Sequence, residues 1–171
     1  MEKYKDKLDE YKYNFLVDLQ NHLNQEFIFY GSINRMDYFK NNSDIDIAII
    51  TDNTHSVLFK IQHYLNIDKT NIKKIYQQFN KKNTNIVRGY KIKYKDVENN
   101  FRFDMNVYDE KYRTFVLDNI YKHNTMPIVL SALLCILKFL FYKLYLFPKS
   151  FFMQIKNAIF YFQYNNTFFT I

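Results

Sequence analysis

Residues 29–50 read FYGSINRMDYFKNNSDIDIAII. They contain the end of one apolar segment, a polar loop and a second apolar segment. The first segment runs from Phe27 to Tyr30 and stops at Gly31, and the second runs from Asp44 to Ile50. Short apolar segments bounded by turn-forming residues are typical of strands that enter a core. The stretch therefore predicts two strands, with a loop over residues 33–43 between them.

Two aspartates open the second predicted strand. Because successive side chains of a strand alternate between its faces, Asp44 and Asp46 point to one side, and Ile45, Ile47 and Ile49 point to the other. Like charges held this close repel each other, so a fold that keeps both carboxylates needs a cation near them. Mg²⁺ prefers carboxylate oxygens and usually keeps positions free for substrate phosphates. An Asp-x-Asp motif is also common as a plain surface pair, so it needs support from elsewhere in the chain.

A third carboxylate is expected from a neighbouring strand. Residues 101–108, FRFDMNVY, predict a strand that returns from a turn at residues 96–100. Phe103 and Met105 mark its buried side, which puts Asp104 on the other side. Asp104 is therefore the candidate, and Asp109 at the end of the strand is the reserve.

The Gly31-Ser32 pair completes the predicted site. Glycine after a strand lets the backbone approach a ligand closely, and serine offers a hydroxyl and an N–H to phosphate oxygens. A Gly-Ser pair alone is usually only a loop. Here it precedes Asp44 by thirteen positions and lies between predicted strands, with Asp104 on a further strand. That combination favours a site for a phosphorylated substrate.

The remaining segments complete an α+β plan. Apolar residues at helical spacing predict helices over residues 5–24, 57–65 and 72–79. Tyr90, Ile92 and Tyr94 alternate with lysines and predict a strand that pairs with residues 101–108. With 48% hydrophobic and 20% aromatic residues, the chain has ample material for a core. We expect a sheet with flanking helices over residues 1–120 and a helical extension over residues 121–171.

Cysteine content and charge narrow the class of protein. The lone Cys135 excludes an internal disulfide and a cysteine-based zinc site, the four histidines show no ligand spacing, and no signal peptide opens the chain. These features predict an intracellular, cytoplasmic protein. The net charge is +7, and nine basic residues but no acidic one lie between Lys69 and Lys95. That stretch is either a solvated surface or a site for a polyanion such as RNA or a triphosphate.

Residues 29–50 resemble the signature of the polymerase-β-type nucleotidyltransferase superfamily, in which apolar residues, Gly-Ser and a loop precede Asp-x-Asp. The segment FRFDMNVY is similar to the strand that carries the third carboxylate of that superfamily. The resemblance implies a nucleotidyltransferase-type mixed sheet in which Asp44, Asp46 and Asp104 bind two Mg²⁺ ions, or Mn²⁺ in their place. It also implies that Gly31 and Ser32 hold a nucleoside triphosphate.

Two details bear on the kind of nucleotidyltransferase. Arg35 stands where minimal enzymes of the antitoxin type often have a substrate-binding arginine, although Met36 replaces the glycine that usually follows. The 58 positions from Asp46 to Asp104 are closer to template-independent RNA-tailing polymerases. The implied reaction moves a nucleoside monophosphate to a hydroxyl of an RNA 3′ end, a protein or a small molecule. The alternatives are a non-catalytic interaction module of the same fold and a membrane-tethered protein.

Residues 127–147 form an apolar segment of 21 residues, about long enough to span a bilayer. Five of its polar residues recur at helical spacing along one stripe, namely Ser131, Cys135, Lys138, Tyr142 and Tyr145. A helix that is buried on most sides and has one polar edge facing a cleft fits this pattern better than a membrane anchor does.

The tail is also similar to the helical domain of RNA-tailing polymerases, in which a lysine on an apolar helix and a later Ser-Tyr pair contact the nucleotide. By that resemblance Lys138 and Ser150 bind the triphosphate, with Phe151 in place of tyrosine, and residues 121–171 form a partial nucleotide-binding domain. Two other roles for Lys138 stay open. Its stem packs along the helix while its ammonium reaches water, or its ammonium pairs with a carboxylate of the catalytic domain.

Overall fold

The predicted α+β fold is confirmed by a computed structural model that describes residues 1–77 and 86–166 of the chain. In chain order its elements are α1 (Glu10–Leu23), β1 (Ile28–Tyr30), β2 (Ile45–Thr51), α2 (Thr54–Leu65), β3 (Ile72–Gln77), β4 (Val87–Asp96), β5 (Phe101–Asp109), α3 (Arg113–Asn124), α4 (Ile128–Tyr142) and α5 (Lys149–Asn166). The strands form one five-stranded sheet in the order β1-β2-β5-β4-β3. Strands β2 and β5 run parallel, and the other three neighbouring pairs are antiparallel.

The pairing of β2 with β5 divides their side chains between two faces as the alternation predicts. On one face, six side chains are at most 1% exposed: Ile45, Ile47, Ile49, Phe103, Met105 and Val107. They belong to the same buried cluster as Leu16 and Leu19 of α1 and Ile61 of α2. The two helices therefore cover this face, which we call the core face. The side chains of the opposite face carry the polar groups of the candidate site.

Aromatic rings close the core where α1 crosses the sheet. Phe15 of α1 stacks on Tyr94 at a centroid distance of 5.6 Å, and Tyr94 stacks on Phe103 at 5.0 Å. Phe101 meets the ring of Phe15 edge-on at 5.4 Å. Stacked and edge-to-face rings add attraction beyond the area that they bury. The high aromatic content of the chain is thus partly explained by this one cluster.

Local sequence explains where α1 and the central hairpin begin and turn. Helix α1 starts at Glu10, later than the predicted residue 5, because the Asp9 carboxylate accepts a hydrogen bond from the Lys12 amide at 2.9 Å. Between β4 and β5, Asp96 accepts two hydrogen bonds from Asn99, and Asn100 adopts φ 45°. Asparagine tolerates this left-handed conformation better than most residues. The predicted turn at residues 96–100 is confirmed.

The helix predicted over residues 72–79 is wrong. Residues Ile72–Gln77 form the edge strand β3, which pairs antiparallel with β4, and Phe79 lies outside the described residues. Ile72 packs against the core face, whereas Ile75 packs with the cluster on the opposite face. A spacing of three puts two apolar residues on one side of a helix but on opposite sides of a strand. Here both faces of the sheet are partly covered, so the strand satisfies both isoleucines.

Helices cover part of the second face and then leave the sheet. Val116 and Ile120 of α3 pack with Ala48 and Ile50 of β2 and with Tyr108. Helices α4 and α5 pack on each other through a separate cluster, which consists of Met126, Leu134, Leu137, Phe152 and Ile159. The helical extension predicted after the sheet is therefore present, and it has a small core of its own.

The apolar segment 127–147 is not one continuous helix. Helix α4 ends at Tyr142, and Tyr145 adopts φ 52° and is 83% exposed. The predicted polar stripe therefore holds as far as Tyr142 and fails at Tyr145. Among the described residues, no single helix is long and apolar enough to cross a membrane. The stretches Glu110–Asn124 and Ile128–Tyr142 reach that length and composition only together, and they meet at an angle of 71°.

We predict that Phe103→Ala lowers the free energy of unfolding by about 3–5 kcal/mol, because it removes a fully buried ring from the strand pair that carries the polar face. Urea unfolding monitored by circular dichroism measures this change. Val97→Ala, at a position that is 73% exposed in the hairpin turn, is the control and should change it by at most about 0.5 kcal/mol. A loss below about 1 kcal/mol for Phe103→Ala would contradict the placement of this strand in the core.

Candidate active site

The parallel pairing of β2 with β5 brings two aspartates together on the face opposite the core face. Asp46 and Asp104 are register partners, and the row continues to Tyr30 on β1 and Lys93 on β4. Burial first, and then the nearby carboxylate of Asp104, raise the pKa of Asp46 to about 6. The strand parity predicted for Asp46 and Asp104 is therefore what the structure shows, and Asp109 lies on the other face at the end of β5.

Each of the other two predicted carboxylates is held by a basic side chain. Asp44 precedes β2, and its Oδ1 lies 3.0 Å from Nε of Arg102. Oδ2 of Asp104 lies 2.7 Å from Nζ of Lys91 and 3.7 Å from Nζ of Lys93. Over the described ranges 1–77 and 86–166, no three His, Cys, Asp or Glu side chains are grouped closely enough to hold a metal ion. Protein cations thus balance two of the three carboxylates.

The donor set nevertheless suits a hard divalent cation. Asp46 and Asp104 offer carboxylate oxygens from neighbouring strands, and their mutual repulsion contributes to the raised pKa of Asp46. The amide oxygen of Asn106, on the same face of β5, is buried and accepts no hydrogen bond within the described structure. Oxygen donors of these kinds are the usual ligands of Mg²⁺. The residues that are present therefore fit such an ion.

Gly31 approaches the carboxylates more closely than any other residue type could. Its φ is +76°, and a Cβ built on it would lie 2.5 Å from Oδ2 of Asp46. Its N–H donates a hydrogen bond to Oδ1 of Asn124, at the end of α3, over 3.2 Å. Residues Gly31–Asn34 form one turn of 3-10 helix, in which Ser32 is buried. The Gly31-Ser32 turn predicted from the sequence therefore lies directly beside Asp46.

Arg35 and Lys138 meet on one buried carboxylate that the sequence analysis did not single out. The guanidinium of Arg35 donates to both oxygens of Asp37, at 2.7 and 3.2 Å, and also to the backbone carbonyl of His123. Nζ of Lys138 lies 2.9 Å from Oδ2 of Asp37 and donates to the Asp37 carbonyl at 2.7 Å. All three side chains are at most 6% exposed. We call this group the Asp37 cluster.

The Asp37 cluster shows one of the three roles considered for Lys138. Its ammonium pairs with a carboxylate of the catalytic domain, which was one of the three alternatives, and it also lies 3.4 Å from Oγ of Ser43, next to Asp44. Burial works to raise the pKa of Asp37, but the hydrogen bond from Arg35 and the charge of Lys138 outweigh it and keep that pKa low. The cluster joins α4 to the loop between the Gly31-Ser32 turn and Asp44. Contact of Lys138 or Arg35 with a triphosphate stays a prediction.

The helical extension also contributes a positive charge that sequence reasoning missed and that acts on Asp46. Ser150 is exposed at the beginning of α5. Lys156, further along the same helix, is half-buried, and its charge works to lower the pKa of Asp46. Its Nζ lies 6.0 Å from the centre of the Phe160 ring. Lys156 lies on no polar stripe that would mark it in the sequence, and its effect on Asp46 follows only from the fold.

A mixed sheet that carries adjacent aspartates beside a glycine-led turn is the arrangement of a nucleotide-transferring domain. Residues 12–122 match the family model described as a nucleotidyltransferase domain, and the chain belongs to this family. The match runs from α1 into α3 and agrees with the superfamily resemblance found in the sequence. Comparison with curated proteins and with solved structures gives no match. Family membership supports a transferase that handles a nucleotide and moves a nucleoside monophosphate.

We predict that the buried Asp37–Lys138 pair is strongly coupled. Lys138→Met leaves Asp37 with one fewer partner in a buried site and should lower the free energy of unfolding by about 3–5 kcal/mol. The double variant Asp37→Asn/Lys138→Met should lower it by less than the sum of the two single changes. A double-mutant cycle in urea measures the coupling. The control cycle uses the exposed pair Asp118–Lys122, at 2.7 Å, for which we expect at most about 0.5 kcal/mol.

The raised pKa of Asp46 predicts a pH dependence of stability in the metal-free protein. The folded state holds the proton of Asp46 more tightly than the unfolded chain does, so this protonation stabilises the fold. The stabilisation is fully present below about pH 4 and is lost as pH rises through about 6. Asp46→Asn removes that loss, and near pH 7 it should be more stable than the wild type, by on the order of 2 kcal/mol. Urea unfolding in EDTA between pH 4 and 7.5 tests this. Asp52→Asn, an exposed control, should follow the wild-type curve.

Proposed function

We propose that the protein transfers a nucleoside monophosphate from a nucleoside triphosphate to a hydroxyl acceptor, with Asp44, Asp46 and Asp104 holding Mg²⁺, or Mn²⁺ in its place. The observation that carries this proposal is the row in which Asp46 and Asp104 lie side by side next to Gly31. A metal-bound triphosphate needs carboxylate oxygens that bind the metal ion and a backbone segment that approaches the phosphates closely. We also propose that the protein works in the cytoplasm, a reducing compartment that suits its single cysteine.

Each part of the site has a distinct task in this reaction. The backbone at Gly31 and the hydroxyl of Ser32 bind phosphate oxygens, because no side chain intervenes at Gly31. When bound, Mg²⁺ supplies neutralisation of charge on the α-phosphate and on the pyrophosphate that leaves. The acceptor oxygen forms a bond to the α-phosphorus, the bond to pyrophosphate breaks, and Asp104 accepts the hydroxyl proton. Lys91 and Arg102 balance Asp104 and Asp44 in the ligand-free protein.

The helical extension has a supporting task in the same proposal. We propose that residues 121–171 act as a partial nucleotide-binding domain, in which the charge of Lys156 acts on Asp46 and Lys138 fixes α4 to the Asp37 cluster. A phosphate contact by Ser150 would require the triphosphate to extend toward the start of α5. The supporting observation is that α5 places a positive charge close enough to affect the ionisation of Asp46.

The proposal is tested with each of the four labelled nucleoside triphosphates, with Mg²⁺ or with EDTA, by following pyrophosphate release and labelled products on a gel. We predict that Asp46→Asn or Asp104→Asn lowers transfer at least about a hundredfold, because each removes a carboxylate that holds the metal ion at the reacting phosphates. Asp109→Asn is the matched control. Its carboxylate caps the Lys111 amide at 3.1 Å on the other face, so transfer should be retained.

Two outcomes would contradict the proposal. Transfer by Asp104→Asn at the wild-type rate would remove the carboxylate row from the mechanism. Folded wild-type protein that binds no triphosphate with Mg²⁺ would instead favour a non-catalytic module of the same fold. A requirement for detergent during purification would support the membrane-tethered alternative.

A further inference from the structure

A cleft lies at the other end of the strands from Asp44, beside the first turn of α2. It has a volume of about 310 Å³. Its walls come from the start of α2, from β3 and β4, and from the segment after β5, with Lys74, Tyr76, Arg88, Tyr90, Lys111 and Tyr112 among its lining residues. This volume lies at the lower end of the range for ligand pockets. We call this feature the distal cleft, because it is separate from the Asp46–Asp104 row.

Strand alternation divides the basic stretch between the two faces of the sheet. Lys91 and Lys93 lie on the face of Asp104, and both are within 4 Å of its carboxylate. Lys74 pairs in register with Tyr90 and Arg88 with Tyr76, and all four line the distal cleft. Neither Lys74 nor Arg88 forms an ion pair within residues 1–77 and 86–166. The charge of the stretch is thus partly balanced at the active site and unbalanced at the cleft.

The cleft is positively charged as a whole. Lys74, Arg88 and Lys111 contribute three positive charges and Asp109 one negative charge, which leaves a net charge of +2 with His55 neutral. Asp109 is itself partly satisfied by Lys111, whose Nζ lies 3.7 Å away. Helix α2 adds the positive end of its dipole, and no acidic residue occupies its first turn. An anionic ligand is therefore favoured.

Aromatic side chains accompany these cations. Tyr76 is 65% exposed at the rim of the cleft, and Tyr90 lies deeper, with His55 against its ring at 6.2 Å. Cations that follow a phosphate backbone, together with aromatic rings on which bases stack, are the features that bind single-stranded nucleic acid without sequence preference. Lys74 and Arg88 are exposed, so each phosphate contact is weak alone. A polyanion that makes several contacts at once is the ligand that this surface suits best.

We propose that the distal cleft binds single-stranded nucleic acid, with phosphates on Lys74 and Arg88 and a base on Tyr76. This site goes beyond the proposed transfer reaction and requires neither a metal ion nor a triphosphate. It also refines the RNA site predicted from the basic stretch. Lys81 and Lys82 of that stretch lie outside the described residues, and Lys91 and Lys93 belong to the active-site face.

The test measures binding of a fluorescent single-stranded RNA of about 12 nucleotides by anisotropy, in EDTA and without nucleotide. The double variant Lys74→Ala/Arg88→Ala should bind roughly tenfold or more weakly and should reduce the salt slope by about 1.4, since about 0.7 is lost for each phosphate contact. The matched control is Lys73→Ala/Lys95→Ala, which removes the same charge from exposed positions on the opposite face of the same two strands. It should stay within about threefold of the wild type.

Tyr76 separates stacking from charge. Tyr76→Ala should weaken RNA binding roughly fivefold or more, and Tyr76→Phe should restore it, because the ring alone provides the stacking surface. Circular dichroism confirms that each variant is folded. These variants leave the Asp46–Asp104 row intact, so pyrophosphate release from triphosphate with Mg²⁺ is measured separately. Wild-type protein that binds RNA but releases no pyrophosphate would overturn the proposed function and leave the distal cleft proposal standing.

Three results would overturn the distal cleft proposal. The first is equal weakening by the two double variants, which would mean that only net charge matters. The second is failure of the wild type to bind RNA even at about 50 mM salt, where phosphate contacts are strongest. The third is competition by a mononucleotide at the same concentration as the RNA, which would make the cleft a nucleotide pocket and not a site for a polymer.

Discussion

Two negative charges on neighbouring parallel strands set the main constraint on this molecule. Asp46 and Asp104 share one row because β2 and β5 pair in a single register, in which Ile45 meets Phe103 and Ile47 meets Met105. A slip by one residue would send the apolar side chains of one strand to the polar face and its aspartate into the core. Burial of Ile45, Ile47, Phe103 and Met105 therefore specifies the geometry of the carboxylates. The pairing of β2 with β5 thus places the core on one face of the sheet and the site on the other.

Ion pairs hold the loop between the Gly31-Ser32 turn and Asp44. Two cations pair with Asp37, namely Arg35 of the loop itself and Lys138 of α4. At the end of α3, the carbonyl of His123 accepts a hydrogen bond from Arg35, and the amide oxygen of Asn124 accepts one from the N–H of Gly31. Buried ion pairs of this kind contribute little net stability but are costly to break singly, so they favour one arrangement over others. The helical extension is thus tied to the loop by the same contacts that position Arg35.

Sequence reasoning succeeded where alternation and burial coincide. The strand parity of Asp46, Asp104 and Asp109 followed from the apolar residues beside them, because a buried face leaves only one register. It failed for β3, because the spacing of Ile72 and Ile75 fits one side of a helix and also fits an edge strand whose two faces are both partly covered. Asp37 was missed because its role depends on contacts 101 positions away along the chain. No local pattern marks such a partner.

The edges of the sheet carry a further consequence. One edge, β1, has only three residues, and the other, β3, has six and carries Lys73 and Lys74, one on each face. An unpaired strand edge is a template on which another chain can add, and natural proteins guard it by shortness or by lysine. Both devices are present here, one at each edge. The lysines of β3 are therefore placed where their charge disfavours pairing of this edge with another chain.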